Sequence, residues 1–125
     1  MAINIVVVDA ARLPAGVEFP PLEAARYGWE QYLSLEGEAL RERCWRANVL
    51  VVLDTAIGAP ELAAMPRLEL LVAAGGAGAG LDRAVAEARG VRVQTMADAD
   101  LGDPAAAQAL CGRIVAAIDA FIAGR

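Results

Sequence analysis

The stretch Leu70–Asp82, LLVAAGGAGAGLD, decides how the rest of the chain is read. A continuous apolar run is the pattern of a strand buried on both faces. Gly75, Gly76, Gly78 and Gly80 then let the backbone turn sharply or come close to a ligand. Asp82 suits the start of a following helix. Strand, glycine-rich loop and helix in this order are the unit of a parallel α/β sheet, and the loop is the first candidate for a site.

The same pattern recurs on both sides of this stretch. Ile3–Val8 (INIVVV) and Val49–Leu53 (VLVVL) read as further central strands, each closed by an aspartate, Asp9 and Asp54. Between them, Pro20-Pro21 opens a short expected helix, Leu22–Tyr27, with Gly28 as its cap. The alternating Trp29–Leu35 (WEQYLSL) reads as an edge strand. Glu38–Ala47 is expected to be a helix with Leu40, Cys44 and Ala47 on its buried face, and Glu42 pairs with Arg46 at i,i+4. Pro60 opens and Pro66 stops a helix over Glu61–Met65.

The fourth strand is expected over Leu68–Ala73, a helix over Asp82–Arg89 ending at Gly90, and the fifth strand over Val91–Met96. Asp103-Pro104 is an N-cap and first-turn pair for a last helix running to Ala123. Its polar residues before the end are few, Gln108, Arg113 and Asp119. A helix on one face of a sheet needs only one apolar stripe. This composition therefore raises the expectation of burial on two sides, with Leu110, Ile114, Ile118, Phe121 and Ile122 packing in a homodimer or against a missing domain. An alanine-rich helix that simply tolerates exposure is the alternative.

Five strands alternating with five helices give one domain, with a core over residues 1–101 and a C-terminal helix over 103–124. The expected class is a three-layer flavodoxin-like, or Rossmann-like, fold with a five-stranded parallel sheet in the order 2-1-3-4-5. Ligands in such sheets bind beyond the carboxyl ends of the strands, at the switch point between strands 1 and 3. Asp9, Asp54, Thr55, Gly78 and Gly80 are the expected rim of that pocket.

Composition excludes much chemistry. The 125 residues contain no histidine and no lysine; all 11 cations are arginines, and Ser34 is the only serine. Ser-His and Cys-His pairs, lysine Schiff bases and a P-loop lysine are all excluded. The favoured zinc ligand is also missing, and no metal site is expected. A net charge of −5 without a basic stripe argues against nucleic acid. The uncharged run Leu70–Leu81 is too short to span a bilayer, and the N-terminus lacks a signal-like charge pattern. Cys44 and Cys111, far apart, read as buried reduced thiols of a cytoplasmic protein.

Three motif templates fail at named residues. Gly75 and Gly80 have P-loop spacing, but Leu81-Asp82 stands where the lysine and hydroxyl belong. Gly76-x-Gly78 begins a dinucleotide fingerprint, with Asp98 where the ribose acid would stand, yet Leu81 replaces the third glycine. Asp9 and Asp54 match two acids of a phosphate-accepting receiver pocket. Ala10 replaces its further acid, and its lysine is absent.

End to end, the chain resembles the N-terminal substrate-binding part of the D-isomer-specific 2-hydroxyacid dehydrogenases, in the glycerate dehydrogenase/hydroxypyruvate reductase branch. The resemblance runs through IVVVDAARLPAGVEFPPLEAA, ALRERCWRANVLVVL and APELAAMPRLELLVAAGGAGAGLDRAVAEARGVRV. PAAAQALCGRIVAAIDAFIAGR resembles the helix that leads into the family's nucleotide domain. By resemblance, the backbone N–H groups of Gly75, Gly76 and Ala77 would meet a substrate carboxylate. Asp82 matches an aspartate of the family's loop, whereas Gly80 replaces its asparagine. Asp54, an uncompensated carboxylate after the third strand, would oppose an anionic acid.

The family's catalytic arginine, glutamate and histidine and its NAD fingerprint lie outside this half. The implied protein is a substrate-domain homologue that binds no cofactor, is inactive alone, and takes at most a small 2-hydroxy or 2-oxo acid. The alternatives are a homodimeric association module or engineered isolated domain without a ligand, and one subunit of a split NAD-dependent dehydrogenase.

Overall fold

The computed structural model describes residues 2–24, 26–74, 81–96 and 100–125. Its strands are β1 (Ile3–Val7), β2 (Tyr27–Gln31), β3 (Val49–Val52), β4 (Leu70–Ala73) and β5 (Arg92–Thr95). Its α-helices are α1 (Gly37–Cys44), α2 (Ala59–Ala63), α3 (Arg83–Ala88) and α4 (Pro104–Ala123), and Ala10–Arg12 forms a 3-10 turn. All strand pairs are parallel, in the order β2-β1-β3-β4-β5. This is the expected flavodoxin-like sheet.

The two-residue period of the strands divides the core. Val6, Val8, Leu50, Val52, Leu71 and Ala73 face one side, where α1, α2 and α3 contribute Leu40, Cys44, Leu62 and Ala86. Ile3, Ile5, Val7, Val49, Val51, Leu70 and Val72 face the other, where α4 contributes Leu110, Ile114, Val115 and Ile118. Every residue of β3 and β4 is buried, which explains their unbroken apolar sequences. Cys44 and Cys111 are both buried and free.

Among the described residues of the expected helix over Leu22–Tyr27 none is helical; a loop and an earlier strand take its place. Side chains tie this segment down through its amides. Leu22 N–H donates to the Tyr27 hydroxyl at 3.4 Å, and Glu23 and Ala24 N–H donate to the Asp119 carboxylate at 3.1 and 3.3 Å. A helix of this length is marginal by itself, and these amides are satisfied without one. Gly28 caps nothing: it pairs with Asn4 in the ladder, where a Cβ would lie 3.1 Å from Asn4 Oδ1. β2 therefore ends at Gln31 instead of Leu35.

The polar residues of α4 explain how its second side is covered. Gln108 grips Glu18 through both main-chain groups, accepting at 3.1 Å and donating at 2.7 Å. With Asp119 it ties the 13–24 loop along the helix. Leu110, Ile114 and Ile118 are fully buried in the chain's own core, on the side of α4 that faces the sheet. Phe121 and Ile122 are half-buried against the same core. The exposed side of α4 is Ala105, Ala109, Arg113, Ala116, Ala120 and Ala123, a solvated alanine face. Among the described residues α4 is the helix long and apolar enough to cross a membrane, yet its apolar stripe is the floor of the sheet. Its start is as expected, with Asp103 accepting from Ala105 N–H at 3.2 Å and Pro104 in the first turn.

Candidate functional site

The switch point between β1 and β3 opens into a cleft of about 480 Å³ at the carboxyl ends of the strands. Its walls come from the turn after β1, the segment after β2, the start of α1, the loop after β3, and Glu61 of α2. Asp9, Asp54 and Thr55 lie here together, as the sequence suggests.

Asp9 is the best-anchored side chain in the cleft. It is 3% exposed, and its carboxylate accepts from Leu53 N–H at 2.9 Å, Asp54 N–H at 2.7 Å, Thr55 N–H at 2.9 Å and Thr55 Oγ1 at 2.8 Å. Buried carboxylates persist where their oxygens are satisfied in this way. Asp9 thus holds the end of β1 to the turn after β3, and the amides of Leu53, Asp54 and Thr55 are committed to it. Neither the carboxylate nor those amides is free to take an exogenous anion.

Asp54 points outward and is paired. Arg12, at the end of the 3-10 turn, places Nη2 at 3.2 Å from its Oδ2, with both side chains about half exposed. The carboxylate that follows the third strand is therefore compensated, in contrast to the uncompensated charge that the sequence suggests. Among the described residues Arg12 is the only cation lining the cleft; Glu36 and Glu61 add negative charge. Glu61 is itself engaged, accepting from Gly58 N–H at 2.9 Å and lying 3.8 Å from Arg41. Among the described residues no group of three or more His, Cys, Asp or Glu side chains is placed to hold a metal ion.

Gly75, Gly76, Ala77, Gly78, Gly80 and Asp98 lie outside the described residues. The positions that bracket the glycine stretch are firmly held. Ala74 N–H donates to Val52 O at 2.8 Å, Leu81 bridges Ile57, and Asp82 N–H donates to Ile57 O at 2.9 Å. Both ends of the stretch are thus fixed to β3 and the loop after it. Asp82 then caps α3, accepting from Val85 N–H at 3.2 Å, which accounts for an acid at this position without a ligand.

The two thiols lie away from the cleft, and neither is poised for nucleophilic work. Burial pushes Cys44 up to about 11, with a smaller contribution from the charge of Glu30, and burial pushes Cys111 up to about 11. Thiolate is the reactive form, so both are inert near neutral pH. Arg12 is the residue that sequence reasoning missed. Its signal was available: an arginine three positions beyond a strand-end acid, in a sheet order that sets Asp54 beside it.

No protein-family model and no curated protein matches this sequence. Among solved structures, the chain is similar to an NAD+-bound 3-phosphoglycerate dehydrogenase of Entamoeba histolytica, with a TM-score of 0.61 and 19% identity. The match covers 76% of this chain and 33% of that one. At this identity the likeness is one of fold, and it spans about a third of the dehydrogenase's length.

Proposed function

We propose that these residues form a domain related to the substrate-binding half of the D-2-hydroxyacid dehydrogenases, which binds a small 2-hydroxy or 2-oxo acid and transfers no hydride by itself. The observation that carries this reading is the likeness to a 3-phosphoglycerate dehydrogenase over three-quarters of this chain and one-third of that enzyme. Hydride transfer needs a nicotinamide held against the substrate and an acid/base to move the proton. With no histidine and no lysine, these 125 residues lack the usual proton carriers for that step. The nucleotide and the acid/base would come from elsewhere, in the same protein or on another chain.

The acid would sit at the carboxyl rim of the sheet. By resemblance its carboxylate would meet the backbone N–H groups of Gly75, Gly76 and Ala77. Among the described residues Arg12 is the one cation within the cleft that can add a charged contact, and it must exchange Asp54 for the ligand to do so. Because the Leu53–Thr55 amides are taken by Asp9, recognition has few donors and is weak, with a dissociation constant on the order of 1 mM.

Calorimetric titration with hydroxypyruvate and D-glycerate, beside an NADH-oxidation assay on the same protein, tests this. Saturable millimolar binding without turnover is expected. Absence of binding at tens of millimolar, on the order of tenfold above that constant, removes the ligand, and NADH-dependent turnover removes the claim of inactivity.

A further inference from the structure

The two edges of the sheet are finished differently. β5 carries Arg92, whose guanidinium lies 5.6 Å over the Phe121 ring; a cationic side chain on an edge discourages strand addition. β2 is Tyr-Gly-Trp-Glu-Gln, with no proline, lysine or arginine in its length. The two exposed large hydrophobic residues of the described structure both flank this second edge: Leu33, 74% exposed, just beyond its end, and Trp45, 51% exposed, in a cleft of about 350 Å³ beside Gly28 and Glu30.

The hydrogen bonding of β2 defines which groups are open. Tyr32 directs both main-chain groups at the neighbouring strand, donating to Val7 O and accepting from Ala10 N–H, each at 2.9 Å. In a parallel ladder the inward and outward residues alternate. Gly28 and Glu30 therefore face β1, and Tyr27, Trp29 and Gln31 present N–H and C=O outward. Antiparallel pairing of this edge with itself can bring all three outward residues together. In that register Trp29 faces its own copy on the two-fold axis and Tyr27 faces Gln31, so every outward group meets a partner.

The same register aligns charge. Glu30 of one copy falls opposite Gly28 of the other, where no side chain intervenes and where Trp45 and Arg46 line the cleft. The Arg46 guanidinium lies 5.6 Å over the Trp45 ring, so the aromatic surface and the cation are presented together. By the two-fold, both Glu30 side chains meet an Arg46.

The geometry points to β2 as the interface of a homodimer, in which a second copy of this chain adds antiparallel through Trp29 to make a continuous ten-stranded sheet. This replaces α4 as the association surface, and it stands independently of any ligand in the cleft.

Sedimentation and light scattering of the 125-residue chain from about 10 μM to 1 mM test it, together with amide hydrogen exchange. Expected is a mass approaching twice the 13.0 kDa of one chain. The outward amides of Tyr27, Trp29 and Gln31 are expected to exchange about tenfold more slowly where nine in ten chains are paired. Gln31→Pro removes one outward donor and is expected to yield monomer. Glu30→Arg and Arg46→Glu each weaken association by about tenfold or more, and the double variant restores it. Both charged positions are exposed, so this cycle is readable even where the proline variant fails to fold. A monomer at every concentration overturns the proposal. So does a dimer whose Trp29 amide exchanges freely, or one indifferent to all three substitutions.

Discussion

Replacing Asp9 with asparagine separates a clamp from a chemical acid. The carboxylate accepts from Leu53 N–H on both oxygens, at 2.9 Å to Oδ1 and 3.1 Å to Oδ2, and from Asp54 N–H, Thr55 N–H and Thr55 Oγ1 on Oδ2. An asparagine keeps one oxygen, and its NH2 confronts the donors at the other position. With the oxygen in the Oδ2 position, the NH2 faces the buried Leu53 N–H donor to donor and leaves it only its longer bond, at 3.1 Å, which costs about 1–3 kcal/mol. The remaining bonds lose their charge assistance, about another 1 kcal/mol in total. The expected loss is about 2–4 kcal/mol, a large part of the roughly 5–15 kcal/mol that holds a domain of this kind together.

For a chain of this length that corresponds to a melting temperature lower by roughly 8–15 °C. Urea denaturation followed by far-ultraviolet dichroism measures it. Thr55→Val, which removes only the hydroxyl donor, should cost about 1 kcal/mol, and the two substitutions together should cost less than their sum because they share a bond. A loss below about 0.5 kcal/mol for Asp9→Asn would refute the clamp and return Asp9 to the pool of groups available for chemistry.

Asp119→Ala removes the acceptor of two loop amides and should open the 13–24 loop to limited proteolysis while costing about 1–2 kcal/mol, read from cleavage sites and from the denaturation midpoint. Cys44 and Cys111 should resist a thiol reagent in the native state and react fully in denaturant. Their acidity also sets a pH dependence. Both thiols ionise near 11 in the fold, above the value near 9 of a free cysteine, so folding favours the protonated form. Their stabilisation is complete below pH 9 and is lost as the pH rises towards 11, by at most about 2–3 kcal/mol per thiol in an alkaline denaturation series. Asp54→Asn frees Arg12 from its carboxylate partner and should tighten the binding of a 2-hydroxy acid several-fold in calorimetry, whereas Arg12→Gln should weaken it.

The central sheet was legible because β1, β3 and β4 are buried on both faces and their sequences say so without interruption. The start of α4 was equally plain, since Asp103-Pro104 supplies a cap and a compatible first turn from adjacent residues. The segment between β1 and β2 was not legible, because what shapes it is distant in sequence. Asp119 and Gln108 take the amides of Glu23, Ala24 and Glu18, and no local propensity announces that. The same distance in sequence hides what lies along α4. Two of its three polar residues, Gln108 and Asp119, looked like gaps in an otherwise apolar surface, and they are the tethers that hold the chain's own loop along it.

At the site, the sequence located Asp9, Asp54 and Thr55 on one rim through strand ends and sheet order. It did not distinguish their roles. Burial and the direction of the donors make Asp9 a structural acceptor, and the position of Arg12 makes Asp54 half of an ion pair. Neither can be read from residue type.

The most direct test of the proposed relation to the 2-hydroxyacid dehydrogenases is residue-resolved amide NMR during titration with hydroxypyruvate and D-glycerate. The account predicts saturable, millimolar shifts at Gly75, Gly76 and Ala77 and at the Arg12 guanidinium, with Leu53, Asp54 and Thr55 amides little changed because Asp9 retains them. Amides of the glycine loop that stay unmoved at tens of millimolar ligand, with Arg12 still held by Asp54, would contradict it.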